Sequence, residues 1–446
     1  MTDGLTYSTF GELSTYQASS SGSPQLNVQY TRDSLGRITQ KLETIGGATT
    51  TTVYGYDQAG RLTDVTVNGA LSAHYDYDGN GNRLAVTRPG TGTVSGTYDA
   101  QDRLVTYGAV SYTYTANGDL QTVTSGGQTT TYTYDVFGNL TAVGLPNGTQ
   151  IEYVIDGQNR RIGKKVNGTL AQGFLYRNQL APVAELDGAG NVVSRFIYGT
   201  RINVPDYMVR AGTTYRLLTD HLGSVRLIVD TAAGDVAQRL DYDEFGQITL
   251  DTNPGFQPFG FAGGLYDQHT KLTRFGARDY DAFSGRWTKK DPIRFAGADP
   301  NLYGYVFYDP VNAIDPSGLS PVGWIMRLTR SGYYKVAPLF SKAAAVEARK
   351  HGENVLAESR QLAKAIERAN AGGQDILRHK GHTLPDGSQG MPHYQTPKKP
   401  GHTFWGILGL LGSLLDPFDA ISGELDTEEK YLKQLRSRCP NQQVQL

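Results

Sequence analysis

Along the first two thirds of the chain, apolar and polar residues alternate in short runs, and several runs close on a step of the form Asp-x-x-Gly. Tyr54-Gly-Tyr56-Asp57-Gln-Ala-Gly60-Arg61-Leu62 recurs as Tyr75-Asp-Tyr77-Asp78-Gly-Asn-Gly81-Asn82-Arg83-Leu84. It returns as Tyr112-Thr-Tyr114-Thr-Ala-Asn-Gly118-Asp119-Leu120 and as Tyr132-Thr-Tyr134-Asp135-Val-Phe-Gly138-Asn139-Leu140. Tyr98-Asp99-Ala-Gln-Asp102-Arg103-Leu104 is a degenerate copy and Tyr242-Asp243-Glu-Phe-Gly246 a late one. Tyr56, Tyr77 and Tyr98 are evenly spaced, and a fixed period of this size signals stacked supersecondary units. A Tyr-x-Tyr alternation places both rings on one face of a strand. The Asp-x-x-Gly step turns the chain, with Gly accepting positive φ. Arg61-Leu62-Thr-Asp-Val65 then reads as the returning strand. The pattern predicts stacked hairpins and leaves open a continuous twisted sheet, a β-solenoid or a propeller.

The chain has 446 residues, so at least two units are expected. Most of its Gly and Tyr fall before residue 320, a mixture suited to short strands and tight turns. Its net charge of −1 hides an asymmetry. Residues 320–446 carry 17 Lys+Arg against 12 Asp+Glu, leaving 25 against 31 in residues 1–319. A basic tail on an acidic body fits either an anionic target or a tail kept in an acidic container. Cys439 is the only cysteine, which excludes an intrachain disulfide and thiolate zinc sites of the usual kind. Met1-Thr-Asp-Gly-Leu-Thr-Tyr lacks a basic-then-apolar signal segment. The longest apolar run, Phe404 to Leu415, is interrupted by Gly406, Gly409 and Gly412 and is too short to span a bilayer.

From Pro258 the text changes. Phe259-Gly-Phe261-Ala-Gly263, Arg274-Phe-Gly-Ala277-Arg278-Asp-Tyr280-Asp281, Ser284-Gly285-Arg286-Trp287 and Asp291-Pro292-Ile293 follow one another. They lead to Asn301-Leu-Tyr303-Gly-Tyr305, Asp309-Pro310 and Asp315-Pro316-Ser317-Gly318-Leu319, after which the repetitive character stops. Together with the Tyr-Asp-x-x-Gly-Arg/Asn-Leu repeat, this block resembles the Rhs/YD-repeat polymorphic toxins and their repeat-associated core. The resemblance implies a mainly β fold in which stacked YD hairpins form a spiral shell, here a partial cocoon of few units. A small α+β toxin domain would follow. Residues 1–257 are then the repeat shell, 258–319 the core, and 320–446 a C-terminal toxin domain.

In that family, aspartates at the places of Asp291 and Asp315 form an aspartyl-protease pair that cuts after the Leu of Asp-Pro-x-Gly-Leu, here between Leu319 and Ser320. Two nearby carboxylates that share one proton suit this work, one activating water and the other polarising the carbonyl. The competing reading is that Asp-Pro and Asp-x-x-Gly are only turns. Arg286 and Arg294 are near in sequence and could hold a carboxylate ionised, although structural pairing fits both better. Asp220-His221-Leu-Gly223-Ser224 also resembles a core segment, with His221 read as buried scaffold.

In the tail, Ser341 to Asn370 reads as an amphipathic helix with Val355, Leu362, Ile366 and Ala369 on one face, ended by Gly372-Gly373. A second helix is expected from Thr427 to Arg438. His379, His382, His393 and His402 cluster between, with Arg378 and Lys380. Histidines can pass protons and the cations can hold phosphorane charge, so the cluster suits phosphodiester cleavage by an RNase or DNase. The same His382, His393 and His402 alternatively read as a divalent-metal site of a metal-dependent DNase, or as packing and surface residues. Three functions follow: a self-cleaving interbacterial effector releasing a nuclease, a structural or adhesive YD-repeat surface protein with a non-enzymatic tail, and a tail acting on membranes through Phe404–Leu415. The first implies a cognate immunity protein, a nucleic-acid substrate, possible secretion-system components, and delivery from the bacterial cytoplasm into a target cell without a classical signal peptide.

Overall fold

A computed structural model describes residues 1–8, 13–297 and 299–319 of the body. In the tail it describes 323–329, 332–339, 349, 354–357, 360–372, 374–379, 393–397 and 403–405. Twenty-four strands, from β1 (Thr2–Tyr7) to β24 (Ile248–Asp251), form one sheet. Consecutive strands pair antiparallel throughout, so the predicted hairpins make a continuous sheet rather than separate propeller blades.

The YD signature works residue by residue. Asp57 Oδ1 accepts the Arg61 N–H at 2.9 Å, and its Oδ2 accepts Arg61 Nε at 2.6 Å. Gly60 N–H closes the turn on the Asp57 carbonyl at 3.1 Å. Arg61 then lies over the ring of Tyr77 in the next unit, 5.0 Å from its centroid. Leu62 is buried inside the roll, and the Tyr56 hydroxyl donates to the Ile38 carbonyl, one hairpin back, at 2.6 Å. Each side chain of the motif therefore ties its own turn or the adjacent hairpin.

The same motif bends the sheet. The strand register slips by one residue just before the second Tyr of successive units, at Gly55/Tyr56, Asp76/Tyr77, Thr113/Tyr114 and Thr133/Tyr134. A bulge increases local right-handed twist, and a bulge in every unit curls a long sheet into a scroll.

The scroll overlaps itself. Leu218, Leu227 and Val229 of β21 (Thr213–Thr219) and β22 (Val225–Asp230) share one core with Tyr16, Leu26, Val28 and Tyr30. Leu217, Val225 and Ile228 point into a second core with Phe196, Met208 and Phe259. β22 is therefore apolar on both faces, as expected of a strand enclosed by two layers. Arg226 reaches Glu43 at 2.7 Å across this overlap, and Gln25 donates to the Gly234 carbonyl at 3.3 Å. Among the described residues no backbone ladder joins β1 to β24, so the shell is not closed by its sheet.

Residues beyond β24 fold onto the row of YD turns. A small sheet, β25 (Leu265–Tyr266), β26 (Leu272–Phe275), β27 (Arg278–Asp281) and β28 (Arg286–Trp287), carries an aromatic cluster of Phe261, Phe275, Tyr280, Trp287 and Tyr305. Tyr303 Oη donates to the Gly118 carbonyl at 2.7 Å, and Lys289 Nζ to that of Gly138 at 2.6 Å. A Cβ on Gly81 would lie 2.3 Å from the Tyr308 ring. The turn glycine thus admits the core as well as turning the chain.

In the tail, six strands order as β30-β29-β31-β34-β33-β32, with β31 and β34 parallel. They are β29 (Gly323–Thr329), β30 (Gly332–Leu339), β31 (Asn354–Ala357), β32 (Leu377–His379), β33 (His393–Gln395) and β34 (Thr403–Trp405), with α1 (Arg360–Ala371) packed on the sheet. The long helix expected from Ser341 to Asn370 is corrected here. Arg349 is helical as expected, but Asn354–Ala357 is a strand carrying buried Val355 that interrupts the run, and α1 is a separate helix from Arg360 to Ala371. Val355 keeps helical spacing with Leu362, but its segment pairs with β29 and β34, and tertiary pairing overrides the periodicity. Gly372, at φ +60, follows the helix as expected of a C-terminal stop. The expected Thr427–Arg438 helix lies outside the described residues.

Candidate functional site

Asp291 and Asp315, 24 residues apart in sequence, both turn toward Arg278. Arg278 Nη2 lies 2.9 Å from Asp291 Oδ2 and 3.2 Å from Asp315 Oδ2. Its Nε donates to the Gly318 carbonyl, and its guanidinium stacks over Trp287, 4.1 Å from the ring centroid. Asp315 Oδ1 accepts the Leu319 N–H at 3.1 Å and the Ser317 hydroxyl at 2.9 Å. One cation therefore gathers the two acids and the peptide segment that ends at Leu319.

Local structure explains this convergence. The β26–β27 hairpin places Arg278 opposite Phe275, beside its turn. Asp291 is fixed by its own N–H on the Leu302 carbonyl at 2.9 Å, and its Oδ1 accepts Ile293 N–H at 2.9 Å. Asp315 opens a turn closed by Gly318 N–H on the Asp315 carbonyl at 3.2 Å. All three charged groups are buried. Burial pushes the Asp291 carboxyl up to about 6; Arg278 opposes that rise and the Asp315 charge adds to it. Burial likewise lifts Asp299 to about 6, and Asp299 lies within the electrostatic reach of Arg278 and Asp291. Lys289 is brought down to about 8 by burial, with Arg274 adding to the effect.

Arg286 and Arg294, the arginines nearest Asp291 in sequence, serve elsewhere. Arg286 donates to Asn82 Oδ1 at 2.9 Å, to the Asp102 carbonyl and to Asn301 Oδ1 at 3.3 Å, and Arg294 is exposed. Arg278 holds the carboxylates instead. His221 is partly buried, with Nε2 2.6 Å from the Val311 carbonyl and Nδ1 3.1 Å from the Tyr30 hydroxyl. Burial takes it down to about 4, so at neutral pH Nε2–H donates to Val311 and Nδ1 accepts from Tyr30. It is a clasp on the core segment.

In the tail, Arg378 and His379 lie on β32 and His393 on β33, and the strand register sets His379 opposite His393 and His393 opposite Phe404. Lys380, His382, His402 and Ser320 lie outside the described residues. A buried group that the sequence did not announce fastens the end of β33 to α1. Glu367 Oε1 accepts the Thr396 N–H at 2.8 Å and its hydroxyl at 2.6 Å, and Oε2 meets Arg349 Nε at 2.9 Å. Its only trace in the sequence is a charged residue, Glu367, beside Ile366 on the apolar side of α1.

The curled sheet of YD hairpins, with the following residues folded against its turns, defines a YD-repeat shell protein. Residues 2–311 match the family described as Teneurin YD-shell, and the chain belongs to it. Teneurin-3 of Danio rerio is 31% identical over 303 residues, covering 65% of this chain and 11% of that protein. The tRNA3(Ser)-specific nuclease WapA of Bacillus spizizenii is 28% identical over 289 residues, covering 62% of this chain and 12% of that protein. The chain thus spans only about a tenth of the length of these relatives. The solved TcdB2-TccC3-TEV structure aligns with 71% of this chain and 20% of its own at 17% identity, with a TM-score of 0.40. Among the described residues no helix is long and apolar enough to cross a membrane.

Proposed function

We propose that the chain is a toxin of the Rhs type whose core, residues 258–319, cuts the peptide bond between Leu319 and Ser320 and frees residues 320–446. The Arg278 clasp carries the reading, because it gathers both acids around the last residues before that bond. Asp291, the acid lifted by burial, holds the proton, and Asp315 is the carboxylate that takes a proton from water. Hydroxide adds to the Leu319 carbonyl carbon. The Asp291 proton passes to the Ser320 nitrogen as the C–N bond breaks, leaving a carboxylic acid and an amine. Arg278 positions both carboxylates and draws on the neighbouring Gly318 carbonyl.

Within the same proposal the freed tail is a nuclease, as WapA is named, delivered into a target cell and held in check at home by an immunity protein. His379 and His393, opposed on adjacent strands, are its acid and base, with Arg378 and Lys380 on the phosphate. The similarity to Teneurin-3 favours a second reading, a YD-repeat scaffold that never cuts itself. Expression of the whole chain separates the two. The proposal expects two fragments that meet at Leu319 and merge into one intact band in Asp291→Asn or Asp315→Asn. The freed fragment should degrade RNA or DNA, and His393→Ala should stop it. An intact wild-type chain leaves the scaffold reading standing.

A further inference from the structure

Two glycines stand back to back where the cleavage segment meets the β26–β27 turn. A Cβ on Gly318 would lie 2.5 Å from the Phe275 carbonyl oxygen and 2.9 Å from the Arg278 amide nitrogen. A Cβ on Gly276 would lie 2.3 Å from the Ser317 carbonyl oxygen. Each glycine therefore admits the carbonyl of the residue preceding the other. Ala277 N–H donates to that Ser317 carbonyl at 2.8 Å, and Arg278 Nε donates to the Gly318 carbonyl. The obstructing atoms are backbone, which cannot swing aside as a flexible side chain can.

We infer that the Phe275–Arg278 turn is the specificity-determining cradle of the self-cleavage reaction. It recognises the residue before Leu319 by excluding any side chain there, and so fixes which bond meets the two acids. This rests on the cleavage proposed above. Two neighbouring hydrogen bonds, to the Ser317 and Gly318 carbonyls, hold the strand lengthwise, while backbone contact at Gly276 and Gly318 sets its depth. A side chain at 318 lifts the strand off Arg278 and carries the Leu319 carbonyl away from Asp291.

Positive φ alone gives a competing explanation, since Gly318 sits at φ +68. Asn tolerates that conformation better than Ala but carries a Cβ. The test compares Gly318→Ala, Gly318→Asn and Gly255→Asn in the whole chain, following fragment yield, fragment mass and melting. Gly255 has φ +83 and open space around its Cβ position. The cradle predicts at least a tenfold loss of cleavage after Leu319 in both Gly318 variants, with body melting close to that of Gly255→Asn and no loss in Gly255→Asn. Gly276→Ala, which intrudes from the opposite side, should give the same loss. Cleavage of Gly318→Asn at the wild-type rate overturns the cradle while leaving the paired acids intact. Undiminished cleavage in Asp291→Asn overturns the catalytic reading instead.

Discussion

Asp291 carries a consequence at the scale of a single residue. A carboxyl lifted by burial keeps its proton at a pH where ordinary aspartates have lost theirs. As the proton donor in self-cleavage, it must be protonated, so the rate should rise as pH falls toward 6. The protonated fraction falls about fivefold between pH 6 and pH 7 and about tenfold per unit above that. Chain collected unfolded and refolded by dilution at several pH values gives this profile directly. A rate that is flat or rising from pH 6 to pH 8 would contradict Asp291 as the donor. The two aspartates were legible because the repeat-associated text around them is long and specific. Arg278 is not legible in this way, although it stands in the same Arg274-to-Asp281 run. Its partners lie 13 and 37 residues downstream, and only the β26–β27 register and Trp287 decide where it points.

Among the elements, the YD hairpin is legible in the sequence because its contacts are local. Asp57, Gly60, Arg61 and Leu62 satisfy one another or an adjacent hairpin. What stayed hidden is that some of its glycines serve a distant segment. Gly81→Ala should suffer both the positive-φ penalty and a clash with Tyr308, about 3 kcal/mol together, whereas Gly60→Ala, with nothing near its Cβ position, should lose only about 1 kcal/mol. Urea unfolding measures the difference, and equal losses would show that the core does not press on that turn. The tail was less legible for the opposite reason. Val355 held helical spacing with Leu362, yet its strand forms only when β29 and β34 flank it.

For the molecule as a whole, the decisive contacts cross the overlap of the scroll. Glu43 and Arg226 are separated by 183 residues and both are buried, so no periodicity in the sequence links them. Arg226→Met leaves buried Glu43 with only the Lys41 ammonium, 4.0 Å away, and should lower stability by about 3 kcal/mol. Adding Glu43→Met removes the weakly compensated carboxylate and should recover part of that loss. A double variant no more stable than the single one would mean that the two layers do not depend on this pair.

The clasps on the core's last segment also decide how a mechanical load would travel. Asn312 accepts the Ile38 N–H at 2.7 Å and donates to the Tyr56 hydroxyl at 2.8 Å, and His221 grips the Val311 carbonyl. Tension applied beyond Leu319 meets the Arg278 and Ala277 hydrogen bonds on Gly318 and Ser317 and the Asp315 turn first, and then this knot on the fourth and fifth strands. An uncut chain hauled by its tail would therefore drag the β body along, whereas a chain severed at Leu319, as proposed above, would let the tail part from it.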